Sequence, residues 1–401
     1  MIAAMIVDMI VDMIVIGIAI VIAIAMIVLT GVIVDMVGTV MNAMSNEHVN
    51  FIQKKNQASI DYKICWMTVN RACNLSCKWC YAKETKYKKS DDMDIMMAFD
   101  IIDLCKELNI RNITLIGGEP TIYPYITDVI EYANSKNISC GLVTNGLKLA
   151  EYSFVSKLIK LGQKSFSISV KGENPQKFRA ITGKDEFSTV IRGIKNCLAN
   201  EAKVSVSMVL DEDNIDSYLE GVQYLSEIGV QHFRFSFCYE FDTTGECKKF
   251  LASNNPKRIV TKFINSYDKL NRITNGRFSL FESLPLCIWD KKFIELLEKR
   301  GQIKTVCQLL KRTGLIFDSK GNLIPCNAMP SIKIGSLYKN FKNASELKKY
   351  AETQNVLRIY NMLCSVPDEK CLNCYDYINC GGGCVCNWTN YTYKDLIKME
   401  I

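Results

Sequence analysis

Two periodicities alternate along the chain from residue 63 onward. Short β-branched and aromatic runs fall at residues 63–69, 112–116, 139–143, 165–170, 203–210 and 232–237, and these read as strands. Between them, apolar residues recur at helical spacing over residues 95–108, 126–135, 152–161, 187–198 and 216–228. Each connection is long enough for a crossover helix, so the strands are expected to run parallel. Six such units predict an α/β fold whose sheet curls into a partial barrel, with its ligand at the C-terminal ends of the strands. After about residue 280 the alternation fades, and nine of the chain's 18 cysteines crowd between Cys287 and Cys386. A loop-rich stretch with few apolar runs needs another source of stability, and bound metal is the expected one.

The first 44 residues have a different pattern. Met-Ile-Val-Asp repeats at residues 5–8 and 9–12 and begins again at Met13, and residues 13–34 carry no charge. At 1.5 Å rise per residue, such a stretch spans a bilayer core of roughly 30 Å. It reads as a transmembrane helix, whose following Lys54, Lys55 and Lys63 place the C-terminal bulk in the cytoplasm. The alternative is a mis-assigned start, with translation beginning at Met44. Both readings leave the catalytic part cytoplasmic.

Composition narrows the chemistry. A chain of 401 residues that is 48% hydrophobic buries a substantial core, which excludes disordered and disulfide-stapled mini-protein classes. The chain has 18 cysteines but 2 histidines, and no A-x-A-like cleavage site follows the apolar start, so thiolate metal ligands are expected rather than disulfides or histidine-rich zinc. The formal charge is +7. With no block of Lys or Arg this mild excess suits an acidic peptide or an anionic cofactor, and nucleic acid is not expected as a partner.

Directly after the first strand comes Cys73-Asn-Leu-Ser-Cys77-Lys-Trp-Cys80, a C-x3-C-x2-C loop. Three thiolates this close suit three corners of a [4Fe-4S] cubane and leave the fourth iron open, whereas structural zinc wants four ligands. Gly117-Gly118-Glu119-Pro120 ends the second strand, Thr144-Asn145-Gly146 the third, and Ser169 the fourth.

This order of motifs resembles the radical S-adenosylmethionine (SAM) enzymes over roughly residues 61–240, with Trp79 in the aromatic slot of the cysteine loop. The resemblance implies a partial (β/α)6 TIM-like radical SAM barrel over residues 61–285. It implies a cluster on Cys73, Cys77 and Cys80 whose open iron chelates SAM, and reductive cleavage of SAM to a 5′-deoxyadenosyl radical that abstracts hydrogen from a substrate. It further implies that Gly117 and Gly118 let the backbone approach the SAM amino group and that Glu119 supports it. Asn145 belongs to a turn that many relatives share, and Ser169 and Arg179 are placed like residues reaching the SAM ribose or carboxylate. Where relatives have Ser-x-Asp-Gly this chain has Ser169-Val-Lys171-Gly172, a loss or reversal of the acidic charge.

Downstream, Cys307 and Cys326 form C-x13-G-x4-C, and Cys371, Cys374, Cys380 and Cys384 form C-x2-C-x5-C-x3-C with three glycines in the last gap. Over residues 286–390 these spacings are similar to a SPASM domain, a small cysteine-rich iron-sulfur extension of peptide-modifying radical SAM enzymes, followed by a tail at 391–401. By that resemblance two auxiliary [4Fe-4S] clusters are implied. Cys287, Cys307, Cys326 and Cys384 would ligate the first. Cys371, Cys374 and Cys380 would ligate the second, completed by Cys386 or Cys364. Cys65, Cys105, Cys140 and Cys197 read as core residues, while Cys238 and Cys247 are left unassigned.

The function implied is maturation of a ribosomally made peptide by crosslinking, epimerisation or oxidation. The reductant would be a one-electron donor such as flavodoxin or ferredoxin, and the substrate would dock on the barrel or through a separate leader-peptide-binding protein. An anaerobic sulfatase-maturase-like protein oxidase ranks second, because such enzymes place an Asp base where this chain has Asn327, and an amide cannot take up a proton at physiological pH. A zinc or iron-sulfur binding module and an electron carrier are the non-catalytic alternatives. The open-ended cysteine triplet and the GGEP turn speak against them.

Overall fold

The structure is a computed structural model that describes residues 60–80, 82, 88, 90–237, 256–281, 284–304, 307–364, 371 and 374–385. The expected transmembrane stretch at residues 13–34, and Cys238, Cys247 and Cys386, lie outside the described residues. Among those described, no helix is long and apolar enough to cross a membrane. Chain contacts group residues 59–367 with 376–401 into one compact unit, and residues 1–58 with 368–375 into another. The expected boundary at residue 285 falls inside the larger unit.

The larger unit is built on one sheet of eleven strands. In chain order these are β1 (Ile64–Asn70), β2 (Asn112–Gly117), β3 (Ser139–Thr144), β4 (Ser165–Ser169), β5 (Lys203–Leu210), β6 (His232–Phe237), β7 (Phe278–Phe281), β8 (Ile303–Lys304), β9 (Gly314–Phe317), β10 (Asn322–Leu323) and β11 (Gly335–Ser336). Strands β1 to β8 lie side by side in sequence order, each parallel to the next. The helices that cross between them include α1 (Ile95–Glu107), α2 (Ile126–Ser135), α3 (Tyr152–Lys160), α4 (Pro175–Thr182), α5 (Phe187–Ala199), α6 (Tyr218–Glu227) and α7 (Pro256–Ile273).

This is the expected α/β architecture, but the sheet does not stop at six strands. β9, from the cysteine-rich stretch, lies parallel against the free side of β1, and β10 and β11 continue it antiparallel. β1 is therefore an interior strand, and five of its seven residues, Cys65, Met67, Thr68, Val69 and Asn70, are almost completely buried. β7 and β8 have only four and two residues, too short to show a period in sequence.

Alternation along the strands separates two faces. On β5, Val204, Val206, Met208 and Leu210 are buried, while Ser205 and Ser207 between them are partly exposed. Strands covered by helices on both faces read as continuous apolar runs, so this alternation already marks an inner face that is not packed solid. The helix side is closed by an aromatic cluster. Phe263 of α7 is fully buried, with ring centroids of Tyr218, Phe235, Phe278, Trp289 and Phe293 between 6.1 and 6.5 Å away. Edge-to-face pairs dominate it, as ring quadrupoles prefer. Phe263→Ala is expected to cost about 3–5 kcal/mol through the cavity it leaves. Urea unfolding checks this as a lower midpoint at unchanged slope.

Candidate active site at the C-terminal ends of the strands

The end of β1 and the end of β2 are joined without side-chain spacers. Gly118 N donates to Asn70 O at 3.0 Å and Glu119 N to Ala72 O at 2.8 Å, while Asn70 Nδ2 donates to Glu119 O at 2.9 Å. A Cβ on Gly117 would lie 2.1 Å from Asn70 Oδ1, and one on Gly118 would lie 2.2 Å from Ala72 O. The two glycines thus have an immediate cause: they let the second strand lie against the backbone that enters the cysteine loop.

Glu119 faces inward. It is 1% exposed, and its carboxylate accepts from Thr121 N at 3.0 Å, Thr121 Oγ1 at 2.6 Å, Thr144 Oγ1 at 2.6 Å and Asn145 N at 2.6 Å. Burial pushes its pKa up, opposed by these hydrogen bonds, with Asn145 N–H the foremost among them. The carboxylate therefore ties the GGEP turn to the Thr144-Asn145-Gly146 turn. Asn145 continues the chain of contacts: its Nδ2 donates to Asn74 Oδ1 at 2.7 Å and stands 4.0 Å from Cys73 Sγ. Gly146 completes the turn at φ +82°, a left-handed conformation that favours glycine.

The cysteine loop is also held from the β4 side. Lys78 N donates to Ile181 O at 3.0 Å and Ser76 N to Thr182 O at 3.3 Å, so the loop rests on the last turn of α4. That helix is positioned by its own ends, with Asn174 capping the N-terminus, Pro175 in the first turn and Gly183 left-handed at the C-terminus. Lys78 Nζ pairs with Asp213 at 2.8 Å outside the loop and holds that carboxyl below its ordinary pKa.

Cys73, Cys77 and Cys80 are all partly exposed, the accessibility that metal ligands need. Burial pushes the Cys73 thiol up to about 11, opposed by Leu75 N–H at 3.4 Å from its sulfur and reinforced by the charges of Glu119, Cys80 and Cys77. Burial raises Cys77 too, and the nearby Lys171 ammonium opposes it. Burial thus favours the protonated thiols of Cys73 and Cys77, and a bound cation would compete with those protons. Trp79 is 9% exposed, and its Nε1 has no hydrogen-bond partner among the described residues. With an unpaired buried donor and three cysteines close enough for their charges to interact, the residues present fit a cluster with an organic ligand beside it.

The other expected contacts are placed as follows. Ser169 ends β4, partly exposed and in register with Ser207. Arg179 is exposed on α4, and it is the carbonyls of Ile181 and Thr182 that meet the cysteine loop. Asn74 and Thr121 were not singled out from sequence, and Thr144 was named there only as part of its turn. Lys171 left a signal there, as the reversed charge in the motif after β4.

In the C-terminal part of the larger unit, Cys307 caps the short helix α8 (Gln308–Lys311), accepting from Leu309 N at 3.3 Å. Burial lifts its thiol to about 11, and the charges of Cys384 and Cys364 add to this. Cys380 accepts from Leu286 N at 3.3 Å, and burial raises it, with the Cys287 charge contributing. The structure thus places Cys307 near Cys384 and Cys364, and Cys287 near Cys380. Cys326 accepts from Ala328 N at 3.4 Å, and its neighbour Asn327 receives Thr68 Oγ1 of β1 at 3.2 Å. Gly381, Gly382 and Gly383 are all left-handed, and a Cβ on Gly381 would lie 2.4 Å from Leu310 Cδ1. In the smaller unit, Cys374 N donates to Cys371 O at 3.3 Å. Among the described residues no three His, Cys, Asp or Glu side chains converge as a single metal ion would require. Cys65, Cys105, Cys140 and Cys197 are buried core residues, as their pattern predicted.

Residues 67–232 match the Radical SAM superfamily, a class of enzymes. That class carries a [4Fe-4S] cluster and SAM. The cysteine-rich C-terminus fits a SPASM-like extension. The chain is 29% identical over 211 residues to GTP 3′,8-cyclase of Clostridium perfringens, a match spanning 51% of this chain and 62% of that enzyme. It is 26% identical over 344 residues to mycofactocin maturase MftC of Mycobacterium tuberculosis, spanning 82% of this chain and 80% of the maturase. In fold it is similar to SuiB of Streptococcus suis bound to S-adenosylmethionine, with TM-score 0.64 and 20% identity over 87% of this chain and 78% of SuiB. SuiB has also been solved with its precursor peptide SuiA.

Glu119→Gln tests the network from which the site is built. An amide in place of the carboxylate turns an N–H group toward the donors of Asn145 or Thr121, which is expected to cost about 1–3 kcal/mol. Urea unfolding of the metal-free chain reads this directly, and an unchanged midpoint contradicts the assignment.

Proposed function

We propose that the chain uses a [4Fe-4S] cluster on Cys73, Cys77 and Cys80, with SAM beside it, to modify a ribosomally made peptide by hydrogen abstraction. The observation that carries this is the cysteine loop at the C-terminal end of β1, bound through Asn145 and Glu119 to the turns after β2 and β3. When bound, the cluster and SAM supply the one-electron cleavage that yields a hydrogen-abstracting 5′-deoxyadenosyl radical.

The chain's own residues do the positioning. Glu119 fixes the Asn145 turn, Asn145 and Leu75 N–H face the Cys73 sulfur, and Lys171 offsets the charge at Cys77. Gly117, Gly118, Ser169, Trp79 and Arg179 are assigned to the SAM side of the site. The maturase name of the mycobacterial relative and the precursor peptide held by SuiB favour a peptide substrate. Asn327 bears on the alternative: it accepts from Thr68 Oγ1, and a neutral amide supplies no base for sulfatase-type protein oxidation. The C-terminal cysteines hold two auxiliary clusters in this reading, and a flavodoxin or ferredoxin supplies the electron. The peptide docks directly or through a separate leader-binding protein.

Iron and labile sulfide, measured on anaerobically reconstituted protein, test the cluster count. About twelve irons per chain are expected, for three cubanes, and Cys374→Ala is expected to lose about four of them while still cleaving SAM. About eight irons in the unaltered chain contradicts two complete auxiliary clusters.

A further inference from the structure

In a closed eight-stranded β/α barrel the inward positions are filled by bulky branched side chains, so the interior is a packed core. Here Trp66 of β1 and Val143 of β3 are bulky, but the other positions on β2, β3, β4, β5 and β7 are Thr114, Gly141, Ser165, Ser167, Ser205 and Ser279, and they leave a cavity of about 580 Å³. It lies toward the N-terminal ends of the strands. Ser165, Lys203 and His232 begin β4, β5 and β6, and Arg277 directly precedes β7. The cysteine loop follows the opposite end of β1.

The charge lining this cavity has one sign. Lys203, Arg234, Arg277 and Lys304 border it, with the His232 imidazole beside them, and among the described residues no Asp or Glu does. Arg277 Nη1 donates to Gln231 Oε1 at 3.0 Å and Lys304 Nζ stands 5.3 Å from the Phe281 ring centroid, and among the described residues neither pairs with a carboxylate. The side chains of Lys203 and Arg234 make no hydrogen bond or ion pair among the described residues. A concave, low-dielectric wall with unopposed cations concentrates anions. The length of β4 sets the distance from this rim to the SAM end at roughly 13 Å, the reach of about four extended residues. A peptide anchored at the rim therefore keeps its neighbouring residues within reach of the radical.

We propose that this cavity binds the carboxylates of an acidic segment of the peptide substrate. The inference rests on the peptide-modifying reading and adds the class of sequence that the enzyme selects.

The test uses the full chain, reconstituted with iron and sulfide, and two rhodamine-labelled decapeptides, one alternating Gly and Glu and its Gly–Gln counterpart. Fluorescence anisotropy at low salt reads binding, and 5′-deoxyadenosine formation from SAM is measured on the same samples. The Glu peptide is expected to bind and to be displaced by added salt, with the Gln peptide about tenfold weaker. The double variant Lys203→Gln/Arg234→Gln is expected to weaken the Glu peptide about tenfold, with uncoupled SAM cleavage unchanged. Equal binding of the two peptides, or indifference to the double variant, overturns the inference. So does inorganic pyrophosphate binding where the Glu peptide does not, which assigns the cavity to a phosphate ligand. Failure of the unaltered chain to cleave SAM overturns the radical reading instead, whatever the peptides do.

Discussion

The site depends on one buried carboxylate. Glu119 sits where the ends of β2 and β3 meet the backbone leaving β1, and its four hydrogen bonds hold those ends in a fixed relation. A charge or shared proton in such a place is tolerable only because every donor near it is aimed at it. The same network ends at Asn145, within 4.0 Å of Cys73. The geometry of the cysteine loop is thereby inherited from the sheet rather than set by the loop itself. Loops position ligands loosely, and rigid elements position them well.

Around this point the sheet serves two purposes. Its helix-facing side is packed with aliphatic and aromatic residues. Its inner side carries serines and threonines, so its middle is open. An unfilled interior is costly in lost packing, and the aromatic cluster around Phe263 and the addition of β9 to the free side of β1 offset it. The cysteine-rich stretch therefore contributes to the main sheet before it contributes any ligand.

Much of this was legible in sequence. The six long strands and the five predicted helices appear at the expected positions because each is long enough to show its period. The cysteine loop and the GGEP and Thr-Asn-Gly turns were legible because their residues are close together in the chain. What was hidden depended on contacts between distant residues or on elements too short for a pattern. Glu119 read as a cofactor contact, and only three strand ends brought together show its inward role. The glycines read as an approach to SAM, and they also let β2 lie close against Asn70 and Ala72. The grouping of Cys287 with Cys307 came from resemblance, and the Cys287 charge also reaches Cys380. Two-residue strands such as β8 and β10 carry no sequence signal, so the continuation of the sheet past residue 285 was not visible. The cationic cavity draws its residues from strands between Trp66 and Lys304, and no local motif marks it.

The central claim is that Cys73, Cys77 and Cys80 hold the cluster that cleaves SAM. The measurement that tests it most directly is 5′-deoxyadenosine formed by the anaerobically reconstituted, chemically reduced protein, compared between the unaltered chain and Cys77→Ala. The account predicts 5′-deoxyadenosine from the unaltered chain and none above background from the variant. Equal amounts from both would contradict it.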